Sequence, residues 1–151
     1  MKDGFIKVAA VTPRVSVAGI SENRDEIKRL IDVTMGEQRA RIVVFPELCI
    51  TGYSCGDLFY QKRLLSGALD ALLDIAEHTR GRQGLVFVGL PYLHQDRLYN
   101  VTAAISDGVI LGLVPKRFIP AYGEFYETRY FTAGQKEPVS VSLPDGSGTL
   151  L

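Results

Sequence analysis

The sequence has no excess of charge of either sign, since Lys and Arg total 17 and Asp and Glu total 17. A chain without net charge has no field that draws it to nucleic acid or to an anionic membrane surface, so we expect neither as a partner. No apolar stretch is long enough to cross a bilayer, and the first strand-like run begins directly after residue 4, without the apolar region of a signal peptide. These absences predict no targeting segment and no membrane association.

Cysteine and histidine are also scarce. Cys49 and Cys55 lie six positions apart, which is neither the framework of a disulfide-rich secreted domain nor a zinc spacing. This cysteine usage predicts a protein of the reducing cytoplasm. His78 and His94 have no paired ligand spacing, so no metal site is expected. Either cysteine is a candidate nucleophile by residue type, but packing as a small apolar side chain is the more frequent role and is the one we favour.

Apolar runs and helical periodicity predict strands alternating with helices. Residues 5–11 are a mostly apolar run that predicts a strand buried on both faces. Asn23 and Glu26 have the spacing of a capping box, and they predict a helix over residues 24–38. Residues 42–45 predict a second strand, which stops at a proline.

The middle of the chain continues this alternation. A second helix, downstream of residue 56, is predicted to bury an apolar face made by Leu65, Leu69, Leu72, Leu73 and Ala76. Residues 85–90 predict a third strand, and the order strand, helix, strand, helix, strand favours a layered α/β sheet. Residues 98–106 and 109–114 flank Asp107-Gly108, the pair best suited to a two-residue type I′ turn, so we expect an antiparallel hairpin to extend the sheet.

The last part of the chain predicts an ordered loop and a further hairpin. Residues 116–131 are crowded with aromatic and charged side chains and follow neither a strand nor a helix period. Residues 138–143 predict a strand, 144–148 a turn and 149–151 the opening of a returning strand. A hairpin interrupted there would expose apolar and backbone groups, so we expect residues 1–151 to be one incomplete domain of a longer protein.

Two loops carry candidate chemistry, because reactive groups of α/β sheets gather just past the carboxyl ends of strands. Glu47 follows the second strand at the edge of the core, as suits a general base, and a solvated loop carboxylate is the alternative. Lys116 ends a later strand, either to stabilise an oxyanion or simply to end the strand in solvent. Of Glu124 and Glu127, either one orients Lys116 or both are solvated.

Both loops resemble motifs of the nitrilase or carbon-nitrogen hydrolase superfamily. The Phe-Pro-Glu-Leu of residues 45–48 resembles the first motif of the superfamily. Three strings together resemble its second motif: Pro-Lys at 115–116, Ile-Pro at 119–120 and Tyr-Gly-Glu-Phe-Tyr-Glu at 122–127. The longer string at 45–59 is most similar to glutamine-dependent NAD synthetases, and residues 98–104 are also similar to that family. The resemblance spans nearly the whole chain from residue 5 and implies an α/β fold, part of a nitrilase-like α-β-β-α sandwich.

The resemblance implies a role for each candidate residue. Glu47 is the general base, Lys116 the cation that stabilises the oxyanion, Tyr122 a residue lining the glutamine pocket and Glu124 the supporting glutamate of a Glu-Lys-Cys triad. The family's cysteine nucleophile lies downstream of the second motif, beyond Leu151, so this chain alone is expected to be inactive. The implied reaction is attack of a cysteine thiolate on the side-chain amide of glutamine, through a thioester, with release of ammonia.

The resemblance also implies partners. Ammonia passes to a synthetase domain that is absent from this sequence, where ATP and magnesium support amidation of nicotinic acid adenine dinucleotide, and no cofactor is expected in the glutaminase domain itself. Glutamine is the expected substrate, and the family's members form homo-oligomers. Two other interpretations stay open: a free-standing carbon-nitrogen hydrolase acting on another small amide, and a non-catalytic interaction module of the same fold.

Overall fold

A five-stranded mixed sheet forms the centre of the protein in the computed structural model, which describes residues 4–151. The strands lie in chain order across the sheet: β1 (Val8–Ala10), β2 (Ile42–Val44), β3 (Leu85–His94), β4 (Arg97–Ser106) and β5 (Val109–Pro115). The first three strands pair in parallel, and β4 and β5 add antiparallel neighbours. The predicted α/β class and the antiparallel extension are both confirmed. Residues 1–3, which belong to the region predicted to lack a targeting segment, are outside the described part of the chain.

Two helices, α1 (Ile20–Ile31) and α2 (Lys62–His78), pack against one face of this sheet. Alternate strand residues point to that face because side chains of a strand alternate in direction. The resulting core contains Ile27, Ile31, Val43, Leu72, Ile75, Val86 and Val88, each almost fully buried. Full burial of one such side chain stabilises the fold by about 1.5–3 kcal/mol relative to leaving it exposed. The helix layer therefore holds the sheet from one side.

The first strand is not buried on both faces, so that prediction is wrong. The strand β1 lies at the edge of the sheet, paired with β2 alone. From the predicted run, Ala9 and Val11 pack against the helix-covered core, while Val8 is 64% and Phe5 83% exposed. The helices cover one face, so an apolar run at the edge leaves its other side chains in solvent.

The first helix begins earlier than predicted and has no capping box. Its N-cap is Gly19, without a side-chain hydrogen bond, and after Ile31 the chain continues as a π-helical turn over Asp32–Glu37. Asn23 lies inside the helix and is buried, where it bonds the preceding loop and Ile50. A buried amide with tertiary partners has overridden the local capping pattern.

The second helix is confirmed, but its predicted buried face is rotated by about one residue. Its buried side chains are Leu64, Ala68, Ala71, Leu72, Ile75 and Ala76. Leu65, Leu69 and Leu73 are only partly buried and flank this set. Small alanines at the contact let the helix approach closely, so the bulkier leucines lie beside the contact line.

Two tight turns organise β3, β4 and β5. Asp107 and Gly108 both have positive φ, 48° and 82°, as the predicted type I′ hairpin requires. A second two-residue turn, at Gln95 and Asp96, also has positive φ and was not predicted, because neither position carries glycine or asparagine. Here β3 runs on to His94, four residues beyond the predicted end.

The C-terminal part also follows the sequence-based expectation. The strands β6 (Ser140–Ser142) and β7 (Gly148–Leu150) pair as an antiparallel hairpin beside β5. The segment between Lys116 and Phe131 is an ordered loop with one short 3-10 turn at Glu127–Arg129. No helix in the described range, residues 4–151, has the length and apolar character needed to cross a membrane.

Candidate active site

The loop that carries Glu47 is held in place by its close approach to β3. The chain leaves β2 at Val44 and crosses over Gly89. Any residue with a β-carbon at position 89 would place that carbon 2.8 Å from the carbonyl oxygen of Pro46, which is too close. Leu48, next in the chain, is fully buried and has a left-handed φ of 52°. A glycine on β3 and a strained, buried turn together fix the direction in which Glu47 leaves the sheet.

Lys116 follows β5 and is fixed by backbone hydrogen bonds on two sides. Its amide donates to the carbonyl of Asn100 on β4 at 2.8 Å, and its own carbonyl accepts from Gly134 at 2.9 Å. The side chain of Asn100, 4% exposed, donates to Oε1 of Glu47. The β4–β5 ladder therefore brings the two predicted catalytic residues to the same point.

Glu47 and Lys116 form an ion pair across 69 positions of sequence, with Nζ 2.9 Å from Oε1 of the carboxylate. Oε1 also accepts from Asn100, whereas Oε2 accepts no hydrogen bond from any group within residues 4–151. The carboxylate is 42% exposed and the lysine side chain 29%. One oxygen of Glu47 is thus occupied and the other is open to receive a proton.

A second carboxylate, Glu127, binds the other side of the same lysine. Nζ of Lys116 donates to both its oxygens, at 3.0 and 2.9 Å, and the side chain of Glu127 is only 6% exposed. Burial alone lowers the pKa of Lys116, but the hydrogen bonds to Glu47 and Glu127 outweigh it, so this pKa is raised. The lysine is therefore held as a cation between two carboxylates.

Tyr53 completes this chain of contacts from the first loop. Its hydroxyl donates to Oε1 of Glu127 at 2.8 Å. Burial and the neighbouring Glu127 raise the pKa of Tyr53 to about 12, so the hydroxyl stays protonated at neutral pH. The chain of contacts runs from Asn100 through Glu47, Lys116 and Glu127 to Tyr53, and we call these five residues the lysine network.

Two predicted site residues lie outside the lysine network. Tyr122 is 73% exposed and packs edge-on against Phe125, with ring centroids 5.7 Å apart. Glu124 is exposed and borders a cavity of about 190 Å³ that Tyr53 and Glu127 also line. Their roles in binding glutamine and in supporting the triad stay predictions. A wider cavity of about 820 Å³ lies between α1 and α2, and neither Glu47 nor Lys116 lines it.

Sequence reasoning gave no role to Asn100 or Tyr53 and left Glu127 as one of two alternatives. Asn100 lies on β4 between the buried side chains of Tyr99 and Val101, and a buried amide in that position is a signal that it has a specific partner. Tyr53 and Glu127 lie 74 positions apart, and no local pattern links them. Their contact depends on how the two loops dock.

Both cysteines are buried and suit packing, as predicted. Sγ of Cys49 lies 3.4 Å from the amide nitrogen of Gly89, and burial raises the pKa of its thiol to about 11. The thiol of Cys55 donates to the carbonyl of Thr51 at 3.1 Å, and burial raises its pKa as well. A thiol that stays protonated and enclosed is a poor nucleophile at neutral pH.

No group of three or more His, Cys, Asp or Glu side chains within residues 4–151 is arranged to hold a metal ion. The site consists of carboxylate, ammonium, amide and phenol groups. Such groups can move protons and stabilise negative charge.

The fold and the paired glutamate and lysine define a class of protein. Residues 7–148 match the family model of the carbon-nitrogen hydrolases, and the chain belongs to that family. Within it, the chain is 36% identical over 142 residues to the glutamine-dependent NAD(+) synthetase of Mycobacterium tuberculosis, covering 93% of this chain and 20% of that protein. The glutamine-dependent NAD(+) synthetase of Aquifex aeolicus is 38% identical over 128 residues, which are 85% of this chain and 22% of that protein.

A solved structure agrees with these relatives. The crystal structure of a glutamine-dependent NAD(+) synthetase from Cytophaga hutchinsonii superposes with a TM-score of 0.89 at 26% identity, covering 96% of this chain and 24% of that one. The resemblance inferred from the two motifs is thereby confirmed, together with the nitrilase-like fold. The chain spans about a fifth of the length of the curated relatives it matches.

Proposed function

We propose that the chain provides the general base and the oxyanion-stabilising cation of a glutamine amidohydrolase. The observation that carries this proposal is the ion pair of Glu47 and Lys116, in which one carboxylate oxygen is occupied and the other is open. The glutamine-dependent NAD(+) synthetases named above support glutamine as the substrate. A carboxylate beside a fixed cation is the pairing that amide hydrolysis by a thiol needs.

In the proposed reaction, Oε2 of Glu47 takes the proton of a cysteine thiol as sulfur bonds to the amide carbon of glutamine. The electron pair of the carbonyl moves to its oxygen, where the ammonium of Lys116 stabilises the negative charge. Protonated Glu47 then gives its proton to the departing nitrogen, which leaves as ammonia, and a thioester remains. Glu47 then takes a proton from water as the water oxygen bonds to the thioester carbon. The carbon–sulfur bond breaks, Glu47 returns its proton to the departing sulfur, and glutamate and the thiol are released.

The nucleophile in this proposal is neither Cys49 nor Cys55. Both are enclosed by the fold, and the thiol of Cys49 faces Gly89 on β3. The thiol therefore comes from a part of the protein outside residues 1–151. Tyr122 is proposed to line the glutamine pocket and Glu124 to support the triad, as the motif resemblance implies.

The wider role follows the same proposal. The released ammonia is used by a synthetase domain, with ATP and magnesium, to amidate nicotinic acid adenine dinucleotide, and the enzyme acts as a cytoplasmic homo-oligomer. No residue of this chain is assigned to the ATP-dependent step.

The test is glutamate release by the full-length gene product, beside its Glu47→Gln and Lys116→Met variants. Both substitutions remove a charge with little change in volume, and we expect each to lower kcat by at least about 100-fold while the protein stays folded. Glu137→Gln and Lys136→Met make the same changes at exposed positions outside the site and serve as matched controls.

A wild-type enzyme without glutaminase activity would contradict this proposal. Activity of the wild type on a different small amide, with the same response to both site variants, would point to a carbon-nitrogen hydrolase of other specificity. If the Glu47→Gln and Lys116→Met variants release glutamate as fast as the wild type, neither residue takes part in the reaction.

A further inference from the structure

A recess of about 270 Å³ lies at the end of the sheet opposite to the lysine network. Arg41 directly precedes β2, whereas Glu47 follows that strand, and Gln83 lies just before β3. The lining of the recess, taken from residues 4–151, includes Arg39, Arg41 and Arg82 and no carboxylate. We call the site of these three side chains the arginine recess. The proposed function makes no use of it.

Two of the three arginines have no carboxylate partner. Arg82 is paired, because its guanidinium donates to Asp32. Among the ion pairs of residues 4–151, none includes Arg39 or Arg41. Arg41 donates to the backbone carbonyl and the side-chain oxygen of Gln83, at 2.9 and 3.1 Å, which orients its guanidinium but leaves its charge in place. The arginine recess therefore carries an excess of positive charge.

The turn that carries Arg39 and Arg41 is anchored by the fold. Ala40, between them, is 2% exposed, and its amide donates to the carbonyl of Thr34 at 2.8 Å. The amide of Arg41 donates to the carbonyl of Lys7, also at 2.8 Å. The backbone of both arginines is thus in place before a ligand arrives, so that binding orders their side chains alone.

Arg39 has a backbone conformation that does not suit its residue type. Its φ is 58°, in the left-handed region where glycine, asparagine and aspartate are favoured. The turn also follows a π-helical segment, Asp32–Glu37, a rare conformation that is frequent at functional sites. A strained arginine whose charge has no partner in the fold is explained by a ligand that its side chain binds.

We propose that the arginine recess binds the phosphate or diphosphate group of a small soluble molecule. Guanidinium groups match phosphate oxygens through paired N–H donors. The volume is close to the lower end of the about 300–1,000 Å³ typical of small-molecule sites, which suits a compact anion. Nucleic acid is disfavoured, because basic and acidic residues are equal in number and these arginines lie in a recess instead of along an extended face.

The test is chemical protection of individual arginines in the full-length gene product. Phenylglyoxal modifies arginine side chains, and tandem mass spectrometry reports the rate at each position. At about 0.15 M salt, which screens weak surface attraction, pyrophosphate should slow the modification of Arg39 and Arg41 by about fivefold or more. Arg63 and Arg97 are exposed and should react at unchanged rates. Unchanged rates at Arg39 and Arg41, or equal slowing at all four positions, would overturn the proposal.

Each arginine also reports on the other. In Arg39→Gln, pyrophosphate should protect Arg41 much less, because one of the two charges that meet the anion is gone. Arg41→Gln should weaken the protection of Arg39 in the same way. Arg63→Gln is the matched control and should leave both positions protected. Equal protection of Arg41 in Arg39→Gln and in the wild type would contradict a shared ligand.

Arg39→Gly separates binding from folding. Glycine adopts the left-handed conformation at less cost than other residues, so Tm should be no lower than that of Arg39→Gln. The protection of Arg41 by pyrophosphate should nevertheless be lost, since glycine has no side chain to bind the anion. Arg39→Lys keeps a charge without the paired donors and should retain part of the protection. Full protection of Arg41 in folded Arg39→Gly would overturn the proposal.

Other anions decide the class of ligand. At equal concentration, acetate should protect Arg39 and Arg41 less than inorganic phosphate, and inorganic phosphate less than pyrophosphate, because charge and oxygen number rise in that order. Acetate as protective as pyrophosphate would overturn the assignment to phosphate. Protection by a DNA oligonucleotide or by anionic vesicles, without protection by pyrophosphate, would overturn the assignment to a small molecule. None of these measurements requires glutamate release, so the arginine recess is tested independently of the proposed function.

Discussion

Asn100 joins the two halves of the site, because its side-chain amide donates to the carboxylate of Glu47 while its backbone carbonyl accepts the amide of Lys116. Asn100 is 4% exposed and lies on β4, opposite Pro91 of β3. A single strand position therefore sets the distance between the proposed base and the proposed cation.

Replacing Asn100 tests this link. Asn100→Asp keeps the size of the side chain but turns the donor into a second carboxylate beside Glu47, so we expect kcat/KM for glutamine to fall by about 100-fold. Asn100→Ala removes a buried hydrogen bond to a charged group and should lower the free energy of unfolding by about 1.5–3 kcal/mol. Glutamate release and urea unfolding measure the two effects. Activity retained by Asn100→Asp would show that Glu47 is positioned by other contacts.

Gly89 tests how the first loop is placed. In Gly89→Ala the added methyl group would lie 2.8 Å from the carbonyl oxygen of Pro46, so the loop that carries Glu47 must shift. We expect a loss of about 1–3 kcal/mol in stability and a larger proportional loss of activity. Gly112→Ala on β5 is the matched control, since its nearest atom would be 3.8 Å away. A variant at Gly89 as stable and active as that control would refute the close approach.

Asn23 tests the overridden capping box. The side chain of Asn23 accepts from the amide of Ser16 at 2.7 Å and donates to the carbonyls of Ser16 and Ile50. Asn23→Ala should lower the free energy of unfolding by about 2–3 kcal/mol, because it leaves buried backbone groups without partners. Glu26→Ala removes the other residue of the pattern, and its effect should be below about 1 kcal/mol. Comparable losses at both positions in urea unfolding would favour the capping box instead.

Cys49 gives a prediction on pH. Burial raises the pKa of its thiol from 9.0 to about 11, so the thiol of the folded protein stays protonated up to a higher pH than that of the unfolded chain. The stability from this group is fully present below pH 9 and is lost as pH rises through about 11. Removing the thiol in Cys49→Ala should therefore make stability fall less steeply over this window, by urea unfolding at several pH values. Iodoacetamide at pH 8 should leave Cys49 unmodified in the folded protein, and rapid native labelling would contradict its burial.

The sequence alone was enough for features that depend on neighbouring residues. The strand and helix order follows from apolar runs and their period, and the turn at Asp107 and Gly108 follows from the backbone freedom of that pair. The motif residues Glu47 and Lys116 could be proposed because each lies in a loop just past a recognisable strand and in a short string that resembles a family motif.

Tertiary structure decided what depends on docking. The exposure of β1, the face that α2 buries and the partner of Asn23 all follow from which surfaces the helices cover. In the lysine network, Asn100 reaches Glu47 through strand register, and Tyr53 reaches Glu127 through the packing of two loops 74 positions apart. Local patterns record the conformational preferences of adjacent residues, whereas these contacts depend on the free energy of packing distant segments together.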